Sequence, residues 1–164
     1  MLNQPISIEG VFMKKTTHIL FTIYIFLVIW IILFKLPHFR SINLIPFYYP
    51  NKTGFQIREV LDNLIIFIPF GLYLKTLNIN SERTVFLGFL LSLSLELSQY
   101  IFCIGASDIT DLIGNTLGSG VGAVLFAFLG KIFPKKRMSM INGIGAVVEV
   151  VGIALLSMLF VTNK

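Results

Sequence analysis

Five long apolar runs, separated by short polar segments, follow one another along the chain. Each run is close to the length of about 20 residues that a helix needs to cross a membrane. The runs lack the alternation of membrane β-barrel strands, and backbone in lipid must hydrogen-bond within its own segment. The pattern predicts an all-α integral membrane bundle with five transmembrane helices, at residues 17–34, 60–77, 84–104, 111–133 and 141–161.

Composition supports a membrane protein and excludes several other classes. The 164 residues are 55% hydrophobic and 13% charged, against roughly 25% charged residues in a soluble domain. The net charge of +5 comes from basic residues between the apolar runs, so it indicates orientation rather than nucleic-acid binding. The single Cys103 and the two histidines show no disulfide or metal-ligand spacing. We expect the lipid bilayer as partner, and no metal or cofactor.

Basic residues in short loops predict the orientation, because they accumulate on the cytoplasmic side. The loop KIFPKKR (131–137) is the strongest such signal and places the N-terminus inside. Residues 1–164 then form one membrane domain, with an extracytoplasmic loop at 36–59 and an extra fifth span at 141–161. Residues 1–13 show no membrane or capping pattern, so we interpret them as disordered or as preceding the true start at Met13.

This orientation brings scattered polar side chains into one layer near the outer membrane face. Glu96 and Gln99 are three residues apart, hence on one helix face. Asp111 and Asn115 share a face of the fourth span with Gly118. A carboxylate in the hydrocarbon core costs about 2.5–3.5 kcal/mol, so such residues indicate function. We predict an outer-leaflet polar pocket formed by Asp62, Asn63, Glu96, Gln99, Asp108, Asp111 and Asn115.

Most of these residues also have a purely structural explanation. Asp108 can be the N-cap of the fourth helix, with Asp111 beside its first-turn amides. Gln99 and Asn115 can hydrogen-bond across helices, which is a modest packing contribution. Asp62 can reach the interface from the end of its span. Both explanations stay open at the level of sequence.

The acidic residues of the predicted pocket would repel one another unless something neutralises them. The sequence allows a proton on one of them, a bound cation, or an arginine from the loop, Arg40 or Arg58. Glu149 raises the same question alone in the middle of the fifth span, and the sequence names no partner for it.

A row of glycines predicts one close helix contact. Gly114, Gly118 and Gly122 are four residues apart in the fourth span, a small-xxx-small motif that lets another helix approach. That helix can belong to the same chain or to a second copy, so a homo-oligomer stays open.

Four motifs carry a resemblance to a known family: NLIPF (43–47), DNLIIFIPFGLYL (62–74), LELSQ (95–99) and SDITDLIGNTLGSGVG (107–122). Their order and spacing resemble the VanZ-like family of small bacterial multi-span membrane proteins, over residues 17 to about 129. Many relatives carry an arginine shortly before the aspartate pair, where this chain has other residues. The resemblance implies family positions at Asn63, Pro69, Gly71, Glu96, Gln99, Asp108, Asp111, Asn115 and Gly118.

The resemblance also implies a location in the bacterial cytoplasmic membrane. The family's namesake lowers susceptibility to the lipoglycopeptide teicoplanin without making altered cell-wall precursors. A first hypothesis is therefore a non-enzymatic factor that binds an amphiphile, either a lipid-linked cell-wall precursor or a lipoglycopeptide. The alternative is an intramembrane enzyme or carrier acting on a lipid-linked envelope substrate. The sequence shows neither a nucleophile with a placed base nor an inverted repeat, and enzyme status stays open.

Overall fold

Helices dominate the computed structural model, which describes residues 8–33, 40–47 and 57–162. Two short strands lie between them, one before the second helix and one after the third. In chain order the elements are α1 (Ile8–Leu33), β1 (Arg40–Asn43), α2 (Ile57–Thr76), α3 (Ser81–Phe102), β2 (Gly105–Asp108), α4 (Ile109–Ile132) and α5 (Arg137–Thr162).

Four of the described helices, α1, α3, α4 and α5, are long and apolar enough to cross a membrane. The chain therefore has the build of a multi-pass membrane protein. The second predicted span differs from the others, because α2 carries Arg58, Glu59 and Asp62 near its start and Lys75 near its end. Its uncharged middle is shorter than the hydrocarbon core requires. Of the five predicted spans, four thus have the length and composition of a membrane-crossing helix in the described part of the chain. The orientation stays a prediction.

The helix boundaries follow the apolar runs to within a few residues, except at the N-terminus. There α1 begins at Ile8, well before the predicted residue 17, so the described part of the segment 1–13 is helical. In the second run α2 continues through Pro69 as one helix. Proline has no amide hydrogen, so the carbonyl of Ile65 loses its helical partner, which membrane helices tolerate. The hydroxyl of Tyr24 donates to the next carbonyl, that of Ile66, at 2.8 Å.

The most extensive helix contact joins α2 to α4 along the glycine row. A Cβ atom built on Gly118 would lie within 3.0 Å of Leu64 and Phe67, and one on Gly122 within 3.0 Å of Ile68. Gly71 makes the reciprocal approach from α2. The neighbour that the glycines admit is therefore a helix of the same chain, and this row is not free for a second copy.

The small sheet departs from the all-α prediction. Strands β1 and β2 pair in parallel, with Arg40 opposite Gly105 and Asn43 opposite Asp108. Strands of four residues are too short for hydrophobic periodicity to identify. The turn into β2 begins at Cys103, which ends α3 in the left-handed conformation with φ 55°. The pair fastens the segment before α2 to the connection between α3 and α4.

The remaining helices close one side of the bundle. α5 packs mainly against α1, where the hydroxyl of Thr17 bonds Asn142 Oδ1 at 2.9 Å. Phe21, Tyr24 and Tyr73 form an aromatic cluster with ring centroids 5.8–6.3 Å apart. The buried apolar core thus lies between α1 and α2, away from the sheet.

Candidate functional site

Asp108 lies where β2 ends and α4 begins, and it has the geometry of an N-cap. Its backbone is extended, and Oδ1 accepts a hydrogen bond from the amide of Thr110 at 2.7 Å. This confirms the capping role that the sequence allowed. The other oxygen, Oδ2, accepts from Asn43 Nδ2 at 2.9 Å. One carboxylate therefore starts a helix and holds the end of β1 at the same time.

Glu96 links α3 to this helix start. Its carboxylate Oε2 accepts from the amide of Asp108 at 2.9 Å, and its carbonyl accepts from Ser107 Oγ at 2.7 Å. The residue is buried, with 8% of its surface exposed. A buried carboxylate needs hydrogen-bond donors to offset its lost hydration. The amide of Asp108 supplies one, and the carboxylates of Asp108 and Asp111 lie near enough to act on Glu96 electrostatically.

Asn63 and Asp111 meet across the interface of α2 and α4. The amide nitrogen of Asn63 donates to Asp111 Oδ1, which makes Asn63 a partner of the predicted site. Asp62, one residue earlier, is exposed and forms an ion pair with Arg58 at 3.8 Å. Exposed pairs of this kind contribute little to stability. The structure thus places Asp62 outside the cluster, and Arg58 with it; the side chain of Arg40 lies outside the described residues.

Asn115 and Gln99 bridge neighbouring helices through their amide groups. Asn115 Nδ2 donates to Ser92 Oγ at 2.9 Å, and Gln99 Nε2 donates to the carbonyl of Ile32 at 3.1 Å. The amide oxygens of both residues are buried and lack a hydrogen-bond partner among the described residues. A buried polar group left unpaired costs about 1–3 kcal/mol. The interior of this region therefore retains unused hydrogen-bonding capacity.

A pocket of about 310 Å³ opens beside this polar cluster, between β1, α3, β2 and α4. Glu96, Ser107 and Asp108 are among its lining residues, but they present no polar atom to it, since their polar atoms bond within the cluster. Its wall is apolar, and it includes Leu44 and Leu97, which are 72% and 52% exposed. Of the seven predicted site residues, two line this pocket. The others make the helix contacts just given, or lie at the exposed end of α2.

Sequence reasoning missed the small polar residues that complete the cluster. Asn43 and Ser107 bond to Asp108 and Glu96, and the Thr110 hydroxyl accepts from the amide of Phe47 at 3.0 Å. Asn43 and Phe47 belong to the NLIPF motif, which carried the family resemblance but no chemical role. The NLIPF motif was thus the feature of the sequence that could have indicated the contacts of Asn43 and Phe47.

Within the described ranges no group of three or more His, Cys, Asp or Glu side chains could hold a metal ion. The apolar pocket beside the buried polar cluster suits an apolar chain.

Fold and site together define a multi-pass membrane protein whose polar cluster lies at the junction of α3, β2 and α4. The sequence profile of the VanZ/LLP1 family matches residues 21–130. Protein VanZ of Enterococcus faecium is 41% identical over 156 residues, covering 87% of this chain and 89% of that protein. The chain therefore belongs to the VanZ/LLP1 family. No solved structure matches it.

Proposed function

We propose that this chain is a protein of the bacterial cytoplasmic membrane that reduces susceptibility to teicoplanin-type lipoglycopeptides. It binds the amphiphile in the pocket between β1, α3, β2 and α4, on the outer side of the membrane. The pocket itself carries the proposal. Its accessible wall is entirely apolar and suits an acyl chain, while the hydrogen-bonded cluster of Glu96 and Asp108 lies directly behind that wall.

The outer position of the pocket depends on orientation. We propose that the N-terminus is inside and that α2 crosses the membrane as a fifth span, with its charged residues at the two interfaces. Cys103 then lies outside, because α3 runs outward and ends just before it.

The single native cysteine tests this orientation. A membrane-impermeant maleimide should label Cys103 in intact spheroplasts. In the double variant Cys103→Ser/Ser139→Cys it should label only after permeabilisation, since residue 139 lies in the first turn of α5, on the proposed inner side. The opposite labelling order would contradict the proposed orientation.

Drug susceptibility tests the binding function. Expression in a susceptible host should raise the inhibitory concentration of teicoplanin, and raise that of the same glycopeptide without its acyl chain much less. Equal effects on both compounds would count against recognition of an acyl chain. No change for either compound, at verified protein level, would refute the proposal.

A matched pair of variants assigns the effect to the pocket. Leu97→Trp fills the pocket from α3, whereas Leu90→Trp lies one heptad earlier, on nearly the same stripe, and outside it. We expect loss of protection only in the first. Accumulation of one lipid-linked precursor in both a deletion strain and a Glu96→Gln strain would instead favour an enzyme that acts on that precursor.

A further inference from the structure

A second cavity, of about 280 Å³, lies between α1, α2 and α5, and its residues are different from those of the pocket. Its lining is apolar apart from a few groups, among which are Tyr24, Tyr73 and Glu149. α5 lies beyond residues 21–130 that match the family profile, so the helix that supplies Glu149 is not part of the matched region. What this cavity holds is independent of the proposed function.

Glu149 occupies the middle of α5 and is 5% exposed. Tyr73 donates its hydroxyl hydrogen to Oε1 at 2.6 Å. The other oxygen, Oε2, is buried and makes no hydrogen bond with any residue that the structure describes. Leaving such a group unpaired is costly in an apolar surrounding. Glu149 is therefore a half-satisfied residue that lines an apolar cavity, with Oε2 buried behind the lining so that a small rotation of the side chain is needed to expose it to the cavity.

The chemistry of Oε2 defines the group that fits it. An ionised carboxylate can only accept a hydrogen bond, whereas a protonated one can donate through its O–H. A hydroxyl group both donates and accepts, so it satisfies Oε2 in either state. A second carboxylate would be repelled by an ionised Glu149, and an alkane would leave Oε2 unpaired.

The size and position of the cavity indicate the rest of the molecule. An apolar protein cavity of about 150 Å³ stays dry and binds benzene, and this one is larger. Ile65 of α2 and Ile144 and Val148 of α5 line it and are 58%, 61% and 56% exposed. These side chains face lipid in a membrane, so the cavity opens laterally to the bilayer.

We propose that this cavity binds an uncharged molecule from the bilayer that has an apolar chain and a hydroxyl group. The hydroxyl bonds Glu149 Oε2, and the chain lies between α2 and α5. A long-chain alcohol and a diacylglycerol share this chemistry, and competition distinguishes them.

The test is photocrosslinking of the purified full chain in phosphatidylcholine nanodiscs, with dodecanol carrying a diazirine as probe. Crosslinks should map to cavity-lining residues of α2 and α5. Unlabelled dodecanol or dioctanoylglycerol should compete roughly fivefold better than dodecane, the factor that one net hydrogen bond contributes. The stronger of the two competitors identifies the source. Equal competition by dodecane, or crosslinks outside the cavity, would overturn the proposal, and this test needs only the unmodified protein.

Two glycines of α5 provide a matched control. Gly152 lines the cavity, and a Cβ atom there would meet only Leu27 at 3.9 Å, whereas at Gly143 nothing lies within 4 Å. Gly152→Leu should reduce crosslinking several-fold, and Gly143→Leu should leave it unchanged. The double variant Tyr73→Phe/Glu149→Leu should abolish the preference for dodecanol over dodecane. Crosslinking that is equal in both glycine variants, or a retained preference in the double variant, would refute the assignment.

Discussion

Replacing Gly118 by alanine tests the close approach of α2 and α4 that brings Asn63 to Asp111. The added Cβ would lie 2.9 Å from the Cβ of Phe67 and closer still to the carbonyl oxygen of Leu64, whereas ordinary contacts are 3.4–4 Å. The approach to the Leu64 carbonyl is the limiting one, and in a closely packed interior α2 must retreat by about 1 Å to relieve it.

The magnitude follows from two opposing contributions. Overpacking a closely packed interior costs about 1–3 kcal/mol, and replacing glycine by alanine within a helix returns about 1 kcal/mol. Gly118→Ala should therefore lose up to about 2 kcal/mol of stability. Gly120→Ala is the control, because its Cβ would meet Val85 at an ordinary 3.6 Å. It should gain up to about 1 kcal/mol.

The assay is thermal denaturation of the purified full chain and both variants in one detergent, followed by the fraction that stays monodisperse on size exclusion. A stability gap of about 2 kcal/mol corresponds to roughly 4–8 °C in Tm for a chain of this size. A Gly118→Ala variant as stable as Gly120→Ala would refute the close contact of α2 and α4, and with it the described geometry of the site.

Three further predictions concern the polar cluster. Asp108→Ala should lower stability by about 1 kcal/mol by removing the N-cap, and Asp108→Asn should lower it less; thermal melts in the reverse order would contradict the capping role. Asn63→Ala removes the donor to Asp111 and should cost about 1–3 kcal/mol, whereas Asp62→Ala, at the exposed neighbour, should change stability by at most about 0.5 kcal/mol. Similar melting shifts for these two would argue against the observed pairing. Glu96→Ala leaves the amide of Asp108 without its acceptor, so deuterium exchange in β2 should accelerate, while Glu96→Gln should retain most protection. Unchanged exchange in the alanine variant would show that Glu96 does not hold β2.

Features that depend on neighbouring residues could be predicted from sequence. The cap at Asp108 is one, since its bond reaches only two residues along the chain, to Thr110. The shared face of Asp111 and Asn115 is another, because helical periodicity alone defines it. The apolar runs likewise located the helices, since a span is recognised by its length and composition.

The choice of partner could not be predicted, even where the region was right. Asp62 and Asn63 are adjacent, and a helix turns about 100° per residue. The rotation of α2 against α4 therefore decides which of them meets Asp111, and packing against the glycine row sets that rotation. Asn63 turns inward to Asp111, and Asp62 turns outward to Arg58. A pocket with both residues in it is consistent with the sequence pattern but not with this rotation.

Composition and periodicity suffice to identify a helical membrane protein, to locate its helices and to single out its unusual polar residues. The pairing of those residues follows from the packing of the folded chain. The parallel strands join residues 65 positions apart, and Tyr73 reaches Glu149 across 76. The physical reason is that burial in lipid is a property of composition, whereas a hydrogen bond between distant residues depends on the positions of whole helices, which are set by packing along the entire interface.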